Sequence, residues 1–149
     1  MARFDCLDCR IGGTSIKIPV RDLDRVIEFS LTPPPPLAPR WIGGLSLVGE
    51  SVCACLALAG QSVGPRASCK GLLLRDPRSE RRYVVQVDDV GAIVSVEGAG
   101  PAGLIVEWPC PDGWLASSVL GEEDVLRLDT DAVAAALFAE MPAPGGLPA

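Results

Sequence analysis

The sequence predicts a mainly β protein built from one or two small barrels, and two patterns support that prediction. Apolar and polar residues alternate at a period of two in several segments, as where Ile16 and Ile18 flank Lys17, and such alternation is typical of half-buried strands. These segments are short, and glycine- or proline-bearing turns separate them at intervals of roughly 8 to 12 residues. Turns at that spacing indicate small barrels.

Three turn signals each lie between two apolar segments, so each is expected to reverse the chain into a hairpin. They are Gly12-Gly13, Gly49-Glu50 and Asp76-Pro77-Arg78-Ser79. Asp88-Asp89-Val90 is expected to interrupt the strands briefly, with its carboxylates in solvent. The expected strands cover residues 4–11, 15–20, 45–48, 51–58, 71–75, 82–87, 92–97, 104–108, 114–120 and 124–128.

A proline tract at 33–36 holds the chain extended and cannot enter a central strand. We expect it to cross between elements, and a docking ligand for an SH3-type domain is the alternative. The crossing is favoured because the tract is short.

Two segments carry a helical pattern. Residues 21–27 place apolar side chains at helical spacing among charges, which predicts a short helical turn packed on the sheet. Asp129-Thr130 offers an N-cap, and the apolar stripe after it predicts a docked helix over residues 131–141 that Pro142 ends.

Length and hydropathy favour one folded domain outside the membrane. The 149 residues fit a single domain, expected over 1–141 and followed by a flexible tail over 142–149. Mean hydropathy is +0.32, yet no run approaches the roughly 18 apolar residues of a membrane span. The opening segment carries aspartate and cysteine where a signal peptide has its apolar stretch, so we expect a cytoplasmic protein without membrane insertion.

Charge and residue usage exclude several functions. The net charge is −6 and basic residues are scattered, so the positive surface that nucleic acids require is missing. The chain has no histidine, which removes the commonest general base and a favoured metal ligand. We therefore expect neither catalysis nor a cofactor.

Six cysteines are expected to be small buried apolar side chains, because disulfides do not persist in a reducing compartment. The alternative is a zinc or thiol redox module formed by Cys6, Cys9, Cys53 and Cys55. Strand geometry opposes it, since residues three apart on a strand point to opposite faces. The three tryptophans are expected mostly in the core.

Four motifs in a fixed order resemble the CheW-type chemotaxis adaptor domain. The resemblance covers residues 4–138, nearly the whole chain. The motifs are Gly12-Gly13, Pro39-Arg40-Trp41-Ile42-Gly43, Gly44-Leu45-Ser46-Leu47-Val48-Gly49, and Gln86-Val87-Asp88-Asp89-Val90 followed by Ile93-Val94.

The resemblance implies two five-stranded, SH3-like β-barrels packed side by side, with a short C-terminal helix. It also implies a non-catalytic scaffold. CheW-type proteins join methyl-accepting chemoreceptors to a CheA-type histidine kinase through surface contacts.

The second hairpin departs from the family pattern at two positions. Val48 stands where the family has an arginine tied to receptor contact, and Leu56 stands where it has an aspartate. An apolar side chain cannot make the charged hydrogen bonds of an arginine, so we expect partner binding here by hydrophobic burial, with Val48 exposed beside Leu45 or Leu47. Packing of these side chains within the hairpin is the alternative. Whether both partner contacts are retained is left open. The residues expected to contact a partner are Leu45, Leu47, Val48, Gly49, Glu50 and Leu56.

Overall fold

The computed structural model describes residues 3–34, 36–60, 66–98 and 107–138. Within these ranges the chain forms ten strands, one 3-10 turn at Val20–Asp22 and one helix, α1 (Thr130–Phe138). No helix in this part of the chain is long and apolar enough to cross a membrane. The strands are β1 (Arg3–Ile11), β2 (Thr14–Pro19), β3 (Leu23–Leu31), β4 (Ile42–Val48), β5 (Ser51–Leu56), β6 (Arg66–Arg75), β7 (Arg82–Val87), β8 (Asp89–Gly98), β9 (Leu115–Leu120) and β10 (Glu123–Leu128).

The strands form two five-stranded units. The first barrel is closed, in the order β1-β2-β10-β9-β8, and the second sheet has the order β3-β6-β7-β5-β4. The edges of the second sheet meet where Thr32 and Leu45 exchange two backbone hydrogen bonds of 2.9 and 3.0 Å, so we call it the second barrel. A Cβ at Gly44 would collide with the carbonyl oxygen of Thr32, and glycine there permits the closure. The predicted pair of five-stranded units with a C-terminal helix is confirmed.

An apolar seam joins the two units. Leu72 and Leu74 of β6 point into it, while Leu73 between them points into the second barrel, as strand alternation requires. Trp41 and Trp114 meet edge to face in the seam, with ring centroids 4.8 Å apart. The fully or nearly buried members of the seam are Leu7, Cys9, Ile11, Ile16, Ile18, Leu56, Leu58, Leu72, Leu74, Tyr83, Val85, Val87, Trp114, Leu126, Leu128 and Val133.

The interior of the first barrel is partly polar. Lys17 is only 5% exposed, and its Nζ donates 2.7 Å hydrogen bonds to Asp8 Oδ1 and to Ser15 Oγ. The guanidinium of Arg127 lies 4.0 Å from the centroid of the Phe4 ring. Buried Lys17 therefore has charged and polar partners, as a low-dielectric interior demands.

The helix is held by its first turn. Asp129 accepts a hydrogen bond from the backbone N–H of Ala132 at 3.1 Å, which confirms the predicted N-cap. The hydroxyl of Thr130 donates to buried Asp22 at 2.6 Å and ties the helix to the 3-10 turn. The helix prediction is confirmed over residues 131–138, and the helix begins one residue earlier, at Thr130. The predicted residues 139–141 and the tail 142–149 lie outside the described residues.

The prediction of a helical turn at 21–27 holds only for Arg21 and Asp22, which end the 3-10 turn, and is wrong from Leu23 onward. The chain leaves the 3-10 turn at Asp22 and enters β3, which pairs antiparallel with β6 over its length. Ile27, Phe29 and Leu31 point inward at a period of two, and the pairing with β6 outweighs the weak helical spacing.

Several strand bounds also differ from those predicted. β8 begins at Asp89, so the expected interruption shrinks to one residue, and β5 ends at Leu56, two residues early. β6 begins at Arg66, five residues before the predicted start. Most of the predicted strand 104–108 lies outside the described residues, and its last two residues are not in a strand.

Replacing Asp8 with asparagine should weaken the acid sensitivity of the fold. Desolvation raises the pKa of Asp8, but hydrogen bonds from Lys17 and Ser15 outweigh it and lower that pKa below 3.8. The ionised carboxylate therefore stabilises the fold above the pKa of the unfolded chain, and this contribution disappears as the pH falls through the lowered pKa. Urea midpoints at pH 7 and pH 3 should differ less in Asp8→Asn than in the wild type.

Asp5→Asn is the matched control, because Asp5 is exposed on the same strand. An Asp8→Asn protein that loses as much stability on acidification as the wild type would contradict the role assigned to this interaction.

Candidate protein-interaction surface

The β4–β5 hairpin projects a two-residue turn from the second barrel. Gly49 and Glu50 form the turn and are exposed, and the strands pair from Val48 with Ser51 onward. Gly49 has φ +61°, a left-handed conformation that glycine adopts without steric cost. The predicted hairpin is therefore confirmed, with its turn facing solvent.

One face of this hairpin presents apolar side chains to solvent. Leu47 and Val52 are directly opposite each other in the register and are 68% and 69% exposed. Leu45 and Ala54 are the next pair on that face and are half-buried. We call these four residues the hairpin patch. Large apolar side chains clustered in solvent commonly mark a surface for protein contact.

The opposite face of the hairpin is buried. Val48 is 9% exposed and packs inside the second barrel, so the expectation that it lies in solvent is wrong. Its position follows from alternation, because Val48 and Ser46 point inward while Leu47 between them points outward. Leu56 is fully buried in the seam. Neither side chain is available for direct contact with a partner in this conformation.

The structure places Leu47, Gly49 and Glu50 in solvent and leaves Leu45 half-buried. It also exposes Val52, which the sequence analysis predicts only as part of a strand. A two-residue turn at Gly49-Glu50 sets Val52 opposite Leu47. The hairpin register was therefore the signal that could have identified it.

A groove lies beside the hairpin patch on the other edge of β5. The parallel register between β5 and β7 includes only Cys55 with Val84 and Leu56 with Val85, so the strands separate toward the start of β5. The space between them, about 620 Å³, reaches the last residues of α1. We call it the β5 groove.

The thiols of Cys6, Cys9, Cys53 and Cys55 do not converge. Cys6 lies inside the first barrel, Cys9 in the seam, and the other two inside the second barrel. Burial raises the pKa of Cys6 to about 11 and that of Cys9 and Cys55 to about 12, so these thiols are protonated and weakly reactive near neutral pH. Among the residues that the structure describes, no group of three cysteine or carboxylate side chains is placed to hold a metal ion.

The two packed five-stranded units and the C-terminal helix define a CheW-like fold. The crystal structure of the scaffolding protein TtCheW from Thermoanaerobacter tengcongensis is similar to this chain with a TM-score of 0.62. The similarity covers 86% of this chain and 90% of that chain at 10% sequence identity. At this identity the likeness concerns the fold. No protein-family model and no curated protein matches the sequence.

Replacing Val48 with arginine should destabilise the protein. In Val48→Arg a guanidinium would enter the apolar interior of the second barrel, and we expect the free energy of unfolding to fall by about 2–4 kcal/mol. Leu47→Arg places the same group on the exposed face of the same strand and should change it by no more than about 0.5 kcal/mol. Urea unfolding of both variants measures the difference, and equal effects would contradict the assigned orientation of β4.

Proposed function

We propose that this protein is a non-catalytic adaptor in chemotaxis-type signal transduction, coupling a chemoreceptor to a CheA-type histidine kinase. The observation that carries the proposal is the exposed pair Leu47 and Val52, on the hairpin that corresponds to the family's contact hairpin. The CheW-like fold over most of the chain supports it. The protein would act in the cytoplasm, where the receptor tips and the kinase are located.

The hairpin patch can contribute substantially to such a complex. Complete burial of an aliphatic side chain the size of leucine or valine contributes roughly 1.5–3 kcal/mol, and both Leu47 and Val52 are about two-thirds exposed. A micromolar complex requires about 8 kcal/mol in total. The patch would supply a large share of this energy, and the surrounding polar rim would supply specificity.

Val48 stands where the CheW-type family has an arginine, and this difference changes the kind of contact that the hairpin can make. Val48 lies inside the second barrel, so the hairpin keeps no cation at this position for pairing with an acidic partner. Glu50 is the charged residue of the turn. The contact would therefore rest on apolar burial and would respond weakly to ionic strength, because salt screens charge pairs and not apolar contacts.

The absence of catalysis is part of the proposal. The sequence has no histidine, and burial raises the pKa of the thiols named above. Neither group offers a general base or an activated nucleophile near neutral pH. The protein would work by contact alone.

Leu47→Glu should weaken partner binding by at least about tenfold, because it places a charge at the centre of the apolar contact. Ile93→Glu is the matched control, since Ile93 is 66% exposed but lies on β8 of the first barrel. Calorimetric titration with the cognate receptor tip and with the kinase regulatory domain measures both variants.

Two results would contradict these proposals separately. If the wild type binds neither fragment at micromolar concentration, the adaptor function is wrong. If Leu47→Glu and Ile93→Glu bind equally well, the adaptor function stands and the hairpin patch is not its contact surface.

A further inference from the structure

The β5 groove exposes a strand edge. β5 pairs with β4 along one edge, and β7 covers its other edge only from Cys55 onward. Ser51 to Cys53 therefore have no strand partner on the groove side among the described residues, whereas Ala54 borders the first pair between β5 and β7. In an antiparallel pair closed by a two-residue turn, hydrogen-bonded and non-hydrogen-bonded pairs alternate, beginning with the hydrogen-bonded pair of Val48 and Ser51. Val52 is in the next pair, so its backbone N–H and C=O point into the groove.

The opposite wall of the groove is apolar. Leu137 and Phe138, at the end of α1, line it. The Phe138 ring packs against Tyr83 with ring centroids 6.1 Å apart, which fixes the position of this wall. A volume of about 620 Å³ falls within the range of roughly 300–1,000 Å³ usual for binding sites.

A cation lies at the mouth of the groove. Arg82 is 3.5 Å from Asp24, and its side chain is 44% exposed. This separation is longer than the 2.7–2.9 Å, approximately, of a charged hydrogen bond, so an incoming carboxylate can compete for the guanidinium. The positive field of Arg82 reaches the groove floor, where it opposes the rise in the pKa of Cys53 that burial causes. Arg81 and Glu80 also line this end of the groove.

We propose that the β5 groove binds an extended segment of a partner protein as an added strand. The segment pairs with the backbone of Val52, buries an apolar side chain against Leu137 and Phe138, and places a carboxylate at Arg82. Main-chain pairing supplies affinity, and the two side-chain contacts supply specificity. This inference goes beyond the proposed function, because it does not require the partner to be a receptor or a kinase.

The chain's own C-terminal residues are a poorer occupant of the groove. Residues 139–149 follow Phe138 directly, but they contain Pro142, Pro144 and Pro148. Proline cannot donate a hydrogen bond to a strand ladder, and no stretch of this segment longer than three residues is free of it. The unpaired edge spans Ser51 to Cys53. The prolines limit how far residues 139–149 could pair along this edge, so we assign the groove to a proline-free segment of a partner.

The test uses the protein of residues 1–149 and three capped hexapeptides. Each has valine at alternate positions, separated by glutamate, serine or lysine. We expect the glutamate peptide to shift the amide resonances of Val52, Ala54 and Arg82 in ¹⁵N NMR spectra, and to bind about tenfold more tightly than the lysine peptide. Absence of any shift at millimolar peptide, shifts that map elsewhere, or equal binding of both charged peptides would overturn the proposal.

Two variants at one position separate backbone pairing from side-chain contact. Val52→Pro removes the N–H that points into the groove, whereas Val52→Thr keeps it and changes the side chain to a similar extent. We expect Val52→Pro to abolish peptide binding and Val52→Thr to retain it, with both variants folded by far-ultraviolet circular dichroism. Equal loss in both variants would overturn strand addition.

Other occupants are outcomes of the same experiment. If peptide binds only after residues 139–149 are removed, the groove belongs to the chain's own end and the partner assignment is overturned. If the protein forms a dimer that competes with the peptide, the occupant is a second copy, and the assignment is overturned in the same way.

Discussion

The apolar seam between the two barrels is the constraint on which the rest of the structure depends. It requires β6 to be buried on both faces, with Leu72 and Leu74 in the seam and Leu73 in the second barrel. β7 has the same property, since Val85 faces the seam and Val84 the interior. A register shift of one residue in either strand would exchange the two sets of side chains. The seam therefore fixes each barrel relative to the other.

The surfaces offered to partners follow from that constraint. The seam covers the outer faces of the central strands, whereas the outer face of the β4–β5 hairpin stays in solvent. Leu47 and Val52 are exposed for this reason, while Val48 on the inner face packs inside the second barrel. The hairpin patch and the β5 groove meet at Val52, whose side chain belongs to both. One partner of sufficient size would cover the two surfaces together.

Local alternation was enough to predict most strands and the three hairpins, because period-two patterning and turn residues act over a few positions. It failed at residues 23–27, where a short apolar pattern fits either element and pairing with β6, distant in sequence, decides the outcome. The same alternation could have predicted that Val48 points inward. It could not have predicted the separation of β5 from β7, because that separation depends on the geometry of strands far apart in sequence. The polar contacts of Lys17 could not be predicted either. Alternation shows on which face of a strand a residue lies, but not which residues that face contacts.

Hydrogen–deuterium exchange of the protein alone and with each partner fragment tests the adaptor function most directly. It reports every backbone amide in one experiment and locates contact without altering a side chain. The account predicts slower exchange across Ile42–Val48 and Ser51–Leu56 with at least one fragment, and unchanged exchange around Ile93. Protection confined to the first barrel, or no protection by either fragment, would contradict it.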